Sequence, residues 1–235
     1  MTKQTIKALF VGATMLASSF AASANETFIV CNGTNFDLIG NYPAGTTYTQ
    51  YEWFTLEGTT IGTTSLSDSA NYTNITLNLT TATTAAKKQF VTHGYNDSCW
   101  SDYDTVTVYV LPSLTTNVVA QNTFGCDNGF EDTLTATTDL SGLDFSVMGG
   151  QGAIDIGAYS WSGGTGTAYE TDKSVYVATS AGTYVATVGY DEGTLPVTIN
   201  GETVTGKKVD CESDAGAGVT IKTTTAPNRP TITIQ

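Results

Sequence analysis

Residues 182–190, Gly182-Thr183-Tyr184-Val185-Ala186-Thr187-Val188-Gly189-Tyr190, set the fold class. Tyr184, Ala186 and Val188 fall at every second position, the period at which an extended chain returns its side chains to one face. Residues 73–80, TNITLNLT, repeat the pattern with Ile75, Leu77 and Leu79. Residues 105–110, TVTVYV, repeat it again. Such alternation marks strands with one buried and one wet face. Gly and Asn clusters punctuate them, and Asn200-Gly201 predicts a two-residue hairpin turn between 195–199 and 203–209. No segment carries a convincing helical period; the best, 80–88, is short and full of Thr. The expected class is all-β.

Composition narrows the function. The 235 residues carry 22 acidic and 9 basic side chains, a net charge of -13, and 45 threonines. A chain this acidic repels phosphate, which excludes a nucleic-acid binder. No run of about 20 apolar residues follows the N-terminal stretch, so no transmembrane segment is expected after it is removed. Twelve Tyr, nine Phe and three Trp exclude a disordered chain.

Residues 1–24 read as a signal peptide. Lys3 and Lys7 charge its start, 8–22 are apolar, and Ala22-Ser23-Ala24 is a small-x-small cleavage site. The expected mature chain begins at Asn25 and works outside the cytoplasm, secreted or at the cell surface. In that setting four cysteines, Cys31, Cys99, Cys126 and Cys211, imply two disulfides, with three possible pairings. Their wide spacing excludes a close-pair metal site.

The chain also repeats weakly. One copy runs from Cys31 through Tyr51-Glu52-Trp53 to Cys99 and the strand at 105–110. The other runs from Cys126 through Tyr159-Ser160-Trp161 to Cys211 and a strand at 218–223. Pro112 interrupts the strand ladder between them. The expected domains are 25–112 and 113–225, two antiparallel β-sandwiches in tandem, followed by a linker and extra strand at 226–235.

A Cys near the start, Tyr-x-Trp in the next core strand, Ala181-Gly182-Thr183-Tyr184 before a late strand, and a Cys before the last strand resemble the Ig-like or PKD-like modules of secreted surface proteins and adhesins of Bacteroidota-type bacteria. The resemblance covers nearly all of 25–225, and its motifs specify fold, not ligand. It implies one disulfide per module, Cys31 with Cys99 and Cys126 with Cys211. A bridge joining a module's first strand to the approach of its last agrees with that pairing. It also implies an O-linked glycosylation motif, best met by Asp68-Ser69-Ala70, with Ser69 as acceptor.

Chemistry is sparse. His93 is the lone histidine, set in an alternating strand, and no Gly-x-Ser-x-Gly elbow accompanies it. The acids fall in turns: Asp97, Asp102 and Asp104 around Cys99, and Asp127, Glu131 and Asp132 after Cys126. Neither group has the spacing of a calcium loop. No enzyme, cofactor or metal is expected. Trp53 and Trp161 read as core, and Trp100, beside a cysteine in a turn, as the exposed aromatic. In the tail, Pro227 and Pro230 make a stiff spacer. Thr231, Ile232, Thr233 and Ile234 then form an alternating strand too short to fold alone. Such a strand must pair back onto its own sandwich or add to a neighbour's sheet edge; added head to tail, it would make the protein a filament subunit. The sequence therefore predicts a non-catalytic surface structural or adhesion protein that self-associates or binds other surface proteins, with a monomeric glycan- or protein-binding module as the alternative.

Overall fold

The computed structural model describes residues 18–22, 26–40, 48–56, 60–65, 70–126, 130–150, 152–169, 171–208, 213–216 and 218–224. Ser69, Cys211 and the strand at 231–235 lie outside the described residues. In chain order the first strands are β1 (Ser18–Ala22), β2 (Glu26–Cys31), β3 (Asn35–Gly40), β4 (Gln50–Thr55), β5 (Thr60–Ser65), β6 (Ala70–Thr76), β7 (Ala86–Tyr95) and β8 (Asp104–Leu111). There follow β9 (Thr115–Ala120), β10 (Phe124–Cys126), β11 (Asp132–Thr138), β12 (Ser160–Ser162), β13 (Gly166–Ala168), β14 (Val175–Ala178) and β15 (Gly182–Thr187). The last are β16 (Thr198–Ile199), β17 (Glu202–Lys208), β18 (Asp214–Ala215) and β19 (Val219–Thr224). Among the described residues, one 3-10 turn, Ser146–Met148, interrupts the β structure.

The chain forms two compact units. The first comprises Met1–Ser113, Gly142–Ile154 and Glu192–Cys211; the second comprises Leu114–Ser141, Asp155–Asp191 and Glu212–Gln235. The first excursion out of unit 1 therefore begins beside Pro112, where the ladder breaks, but the chain returns to that unit twice. The expected division into 25–112 and 113–225 does not describe this interleaving.

Unit 1 packs a seven-stranded sheet, in the order β16-β17-β2-β8-β7-β4-β5, against a three-stranded sheet, β1-β3-β6. Phe28, Val30, Trp53, Phe90, Val106, Val108 and Val110 from the large sheet meet Phe36, Leu38 and Ile75 from the small one. Alternation would leave the other face of β2 and β8 wet. Instead Ile29, Tyr109 and Leu111 are as buried as their neighbours. The returning segments explain this. Thr84 bridges Asp144, and the Asn200 amide donates to the Tyr109 hydroxyl and the Val147 carbonyl, each at 3.2 Å. Phe145, Met148, Leu195 and Ile199 bury their side chains on the same segments. The Asn200-Gly201 turn forms as expected, with φ of 51° and 85°, the pair of positive values a tight hairpin requires. Its hairpin serves unit 1, not the second copy.

Unit 2 packs β10-β19-β15-β12 against β13-β14-β11-β9-β18. Leu134, Ala178, Tyr184 and Ile221 form its core. Tyr184 is fully buried, and its hydroxyl donates to the Ser180 carbonyl at 2.7 Å, pinning the turn four residues upstream.

Two expectations are corrected. The sheets are not purely antiparallel: β2 with β8, β17 with β2, β1 with β3, β10 with β19 and β18 with β9 all run parallel. Parallel neighbours need long crossovers, which the intervening sandwich supplies. The Cys31–Cys99 and Cys126–Cys211 bridges are not formed either. Cys99 and Cys126 are exposed free thiols, whereas buried Cys31 is disulfide-bonded. Cys31 stands level with Leu111, whereas Cys99 precedes the opposite end of β8. That strand spans roughly 25 Å, and bridged cysteines have Cα atoms within about 7 Å.

Non-reducing peptide mapping after alkylation is expected to find Cys99 and Cys126 alkylated and the Cys31 peptide cross-linked. A Cys31–Cys99 peptide would contradict the strand register. Trp53, buried where both sheets meet, should cost about 3–5 kcal/mol when truncated to Ala, read by denaturant unfolding.

Candidate functional site

The outer face of β4 and β7 carries an assembly of polar and aromatic groups around His93. Strand register places Glu52 opposite His93, and Gln50 opposite Tyr95. Trp53 and Phe90 point inward to the core, so the alternate residues Glu52, Phe54 and His93 take the outer face.

A histidine on that face should be wet, yet His93 is 5% exposed. The β7–β8 connection covers it. Asn96 donates its main-chain N–H to the Cys99 carbonyl, and its side-chain oxygen accepts from the Cys99 N–H, both at 3.2 Å. Asp97 takes a positive φ of 66°, which Asp tolerates better than most residues. Ser101 N–H donates to the Gly94 carbonyl at 2.7 Å, and the Ser101 hydroxyl accepts from Gly94 N–H at 3.0 Å. The chain is thus folded back on β7, and Trp100 bridges Tyr95.

Trp100 and Tyr103 then stack on the imidazole. Their ring centroids lie 4.1 and 4.6 Å from that of His93, inclined by 18° and 25°. Two rings this close and this parallel have no room on one face, so they hold the imidazole between them. Phe54 and Tyr95 pack at the margins, Phe54 on His93 and Tyr95 on Trp100. His93 Nε2 meets Glu52 Oε2 at 3.0 Å. Its Nδ1 is buried with no hydrogen-bond partner among the described residues. Trp100 and Tyr103 remain 40% and 65% exposed. Burial pushes the carboxyl of nearby Asp104 above its usual range.

This geometry offers an aromatic platform with a carboxylate at its edge. Exposed aromatic faces bind apolar and C–H-lined surfaces, and their π-electrons favour positive edges. His93 is clamped, with Glu52 fixing its ring. Of the sequence candidates, Trp100 is exposed and at the site, Trp53 is buried, and Trp161 packs on the core of unit 2 with its indole N–H on the Lys173 carbonyl at 2.6 Å. Glu52 and Tyr103 were not singled out by the sequence, since only strand register sets Glu52 opposite His93. Asp132 proves to be a structural acid: buried, it accepts from Asn122 N–H at 3.0 Å. No group of three or more His, Cys, Asp or Glu gathers for a metal among the described residues. Unit 2 has a cleft of about 370 Å³ holding Asp155 and Asp172. Both carboxylates are engaged in local turns, with Asp172 held below its usual range by Ser174.

No family model matches this chain, and no curated protein gives a significant match. Among solved structures, the fibronectin(III)-like modules of Clostridium thermocellum CbhA align with a TM-score of 0.34 at 13% identity, over 85% of this chain and 90% of that one. Murine CEACAM1b aligns with a TM-score of 0.29 at 12% identity, over 83% and 96%. Both scores are too low for these likenesses to bear on function.

Because His93 is the lone histidine, diethyl pyrocarbonate reports on its cover without ambiguity. Trp100→Ala and Tyr103→Ala should each speed its modification several-fold; an unchanged rate would refute the clamp. For Asp104 the folded pKa exceeds the unfolded one. The folded state then binds its proton more tightly, and stability falls as pH rises through that window. Asp104→Asn should melt above the parent at neutral pH, with the gap closing below the usual carboxylate range.

Proposed function

We propose that this protein is a non-catalytic, exported cell-surface protein with an adhesive or structural role. The observation that carries the reading is the Trp100–Tyr103 platform, two exposed rings fixed on a clamped imidazole at the end of a hairpin. Preordered aromatics make good anchors because little side-chain freedom is lost on contact. A pyranose ring fits such a platform: its C–H face stacks on the indole, and Glu52, partly exposed, accepts from a hydroxyl. Among the described residues the two cleft carboxylates, Asp155 and Asp172, are each held by a local turn, which favours binding over turnover.

Export follows the reading of residues 1–24, with a mature N-terminus at Asn25. Surface assembly would use Thr231, Ile232, Thr233 and Ile234, added as a strand to a neighbour's sheet edge. Donated head to tail, such a contact is heterologous and extends into a filament if it does not close. O-glycosylation at Ser69 belongs to the same exported life. The second reading, a monomeric secreted glycan- or protein-binding module, draws on the same platform and differs only in dispensing with the tail.

Edman sequencing of the secreted protein should begin at Asn25. Binding to immobilised glycans should fall at least tenfold in Trp100→Ala and Tyr103→Ala, with the melting temperature little changed. Equal binding by the variants would remove the platform from the function, and a retained Met1 would overturn export.

A further inference from the structure

The stretch read as a signal peptide contains a strand. Strand β1, Ser18–Ala22, runs parallel to β3 with Ser18 level with Phe36, Phe20 with Leu38 and Ala22 with Gly40. It forms one edge of the sheet β1-β3-β6. Cleavage after Ala24 falls between β1 and β2, so it removes this edge strand and leaves the sandwich that remains. The mature protein then has a two-stranded small sheet, with the β3 edge stripped of its partner over five register positions. Two strands alone are marginal. Phe36 and Leu38, both fully buried, stand on the stripped strand. An open edge of this kind is a template for another chain's strand.

We propose that the slot vacated by β1 is the acceptor for the C-terminal strand 231–235 of a second copy. This rests on the export and strand-addition reading above and names its acceptor. The donor matches in length, five residues for five. Its Thr and Ile suit a strand better than Ser18-Ser19-Phe20-Ala21-Ala22 does. Ile232 and Ile234 alternate with the period of Phe36 and Leu38, so one register brings both to the core-facing positions of the slot. The donor follows β19 of unit 2, and the slot belongs to unit 1. Donation from copy to copy thus joins unit 2 of one to unit 1 of the next. It asks nothing of a spacer stiffened by Pro227 and Pro230. Export would itself be the trigger: the precursor carries its own plug and the mature chain does not.

The test uses the mature chain 25–235, its Ile232→Asp variant, and that variant with residues 18–24 restored at its N-terminus. Wild-type 25–235 should form oligomers whose size grows with concentration, with the amides of 36–40 protected from hydrogen exchange. In Ile232→Asp the protein should be monomeric and those amides should exchange at least tenfold faster, while 106–110 stay protected as evidence of folding. A synthetic 227–235 peptide should restore their protection in the variant. It should bind at least tenfold more weakly once 18–24 are restored. Equal peptide binding with and without 18–24, with protection elsewhere, would overturn this acceptor and leave strand addition standing. A wild-type monomer at all concentrations whose 36–40 amides are protected would show the tail filling its own slot, and would overturn exchange between copies. A monomer that binds no peptide would overturn both the acceptor and the assembly reading.

Discussion

Strand β2 has a neighbour on each edge and cover on each face, and unit 1 is organised around that enclosure. All six residues from Glu26 to Cys31 are buried. Along one edge, β2 pairs in parallel with β8 from Glu26↔Val106 to Cys31↔Leu111. Along the other it pairs in parallel with β17, whose register slips between Val204 and Gly206. At that bulge a side chain takes over the ladder: the Thr205 hydroxyl accepts from Thr27 N–H and donates to the Thr27 carbonyl, both at 3.0 Å. The Thr27 hydroxyl in turn donates to Glu202 at 3.0 Å. A strand enclosed on four sides cannot leave a main-chain polar group unmatched without a cost of about 1–3 kcal/mol. The arrival of 192–211 is therefore part of the fold of unit 1.

The local period was legible and the long-range pairing was not. Alternation in 105–110 and 182–190 marks real strands, and Tyr184, Ala186 and Val188 are buried together as their spacing requires. Asn200-Gly201 turns the chain where two positive φ values are needed. Ile75 lies in a strand, whereas Leu77 and Leu79 reach the same core from beyond its end. Alternation also suggests one wet face for β8, and there it misleads: Thr107 and Tyr109 are buried, and Asn200, far later in the chain, donates to the Tyr109 hydroxyl. Nothing in a two-residue period says which edge a strand will occupy. The cysteines show the same limit. The repeat gives Cys31 and Cys126 equivalent places, but one ends an enclosed strand and the other lies exposed in the short edge strand β10.

The platform depends on the same architecture. Strands β7 and β4 lie outward of β8 in the large sheet, so their outer face near the β7–β8 turn is held by a rigid frame. The hydrogen bonds of Asn96, Gly94 and Ser101 fix the turn, and the stacked rings close over His93. The imidazole thus supports the two rings stacked on it.

Unit 1 is discontinuous in sequence and needs the chain that returns to it. The test compares the isolated fragment 25–112 with the chain 25–235 by near-ultraviolet circular dichroism and urea unfolding. The fragment, lacking β17 and the 142–154 cover, should show no cooperative transition and should expose Ile29, Tyr109 and Leu111. A fragment that unfolds cooperatively, with a stability close to that of the intact chain, would contradict it and restore two independent tandem modules.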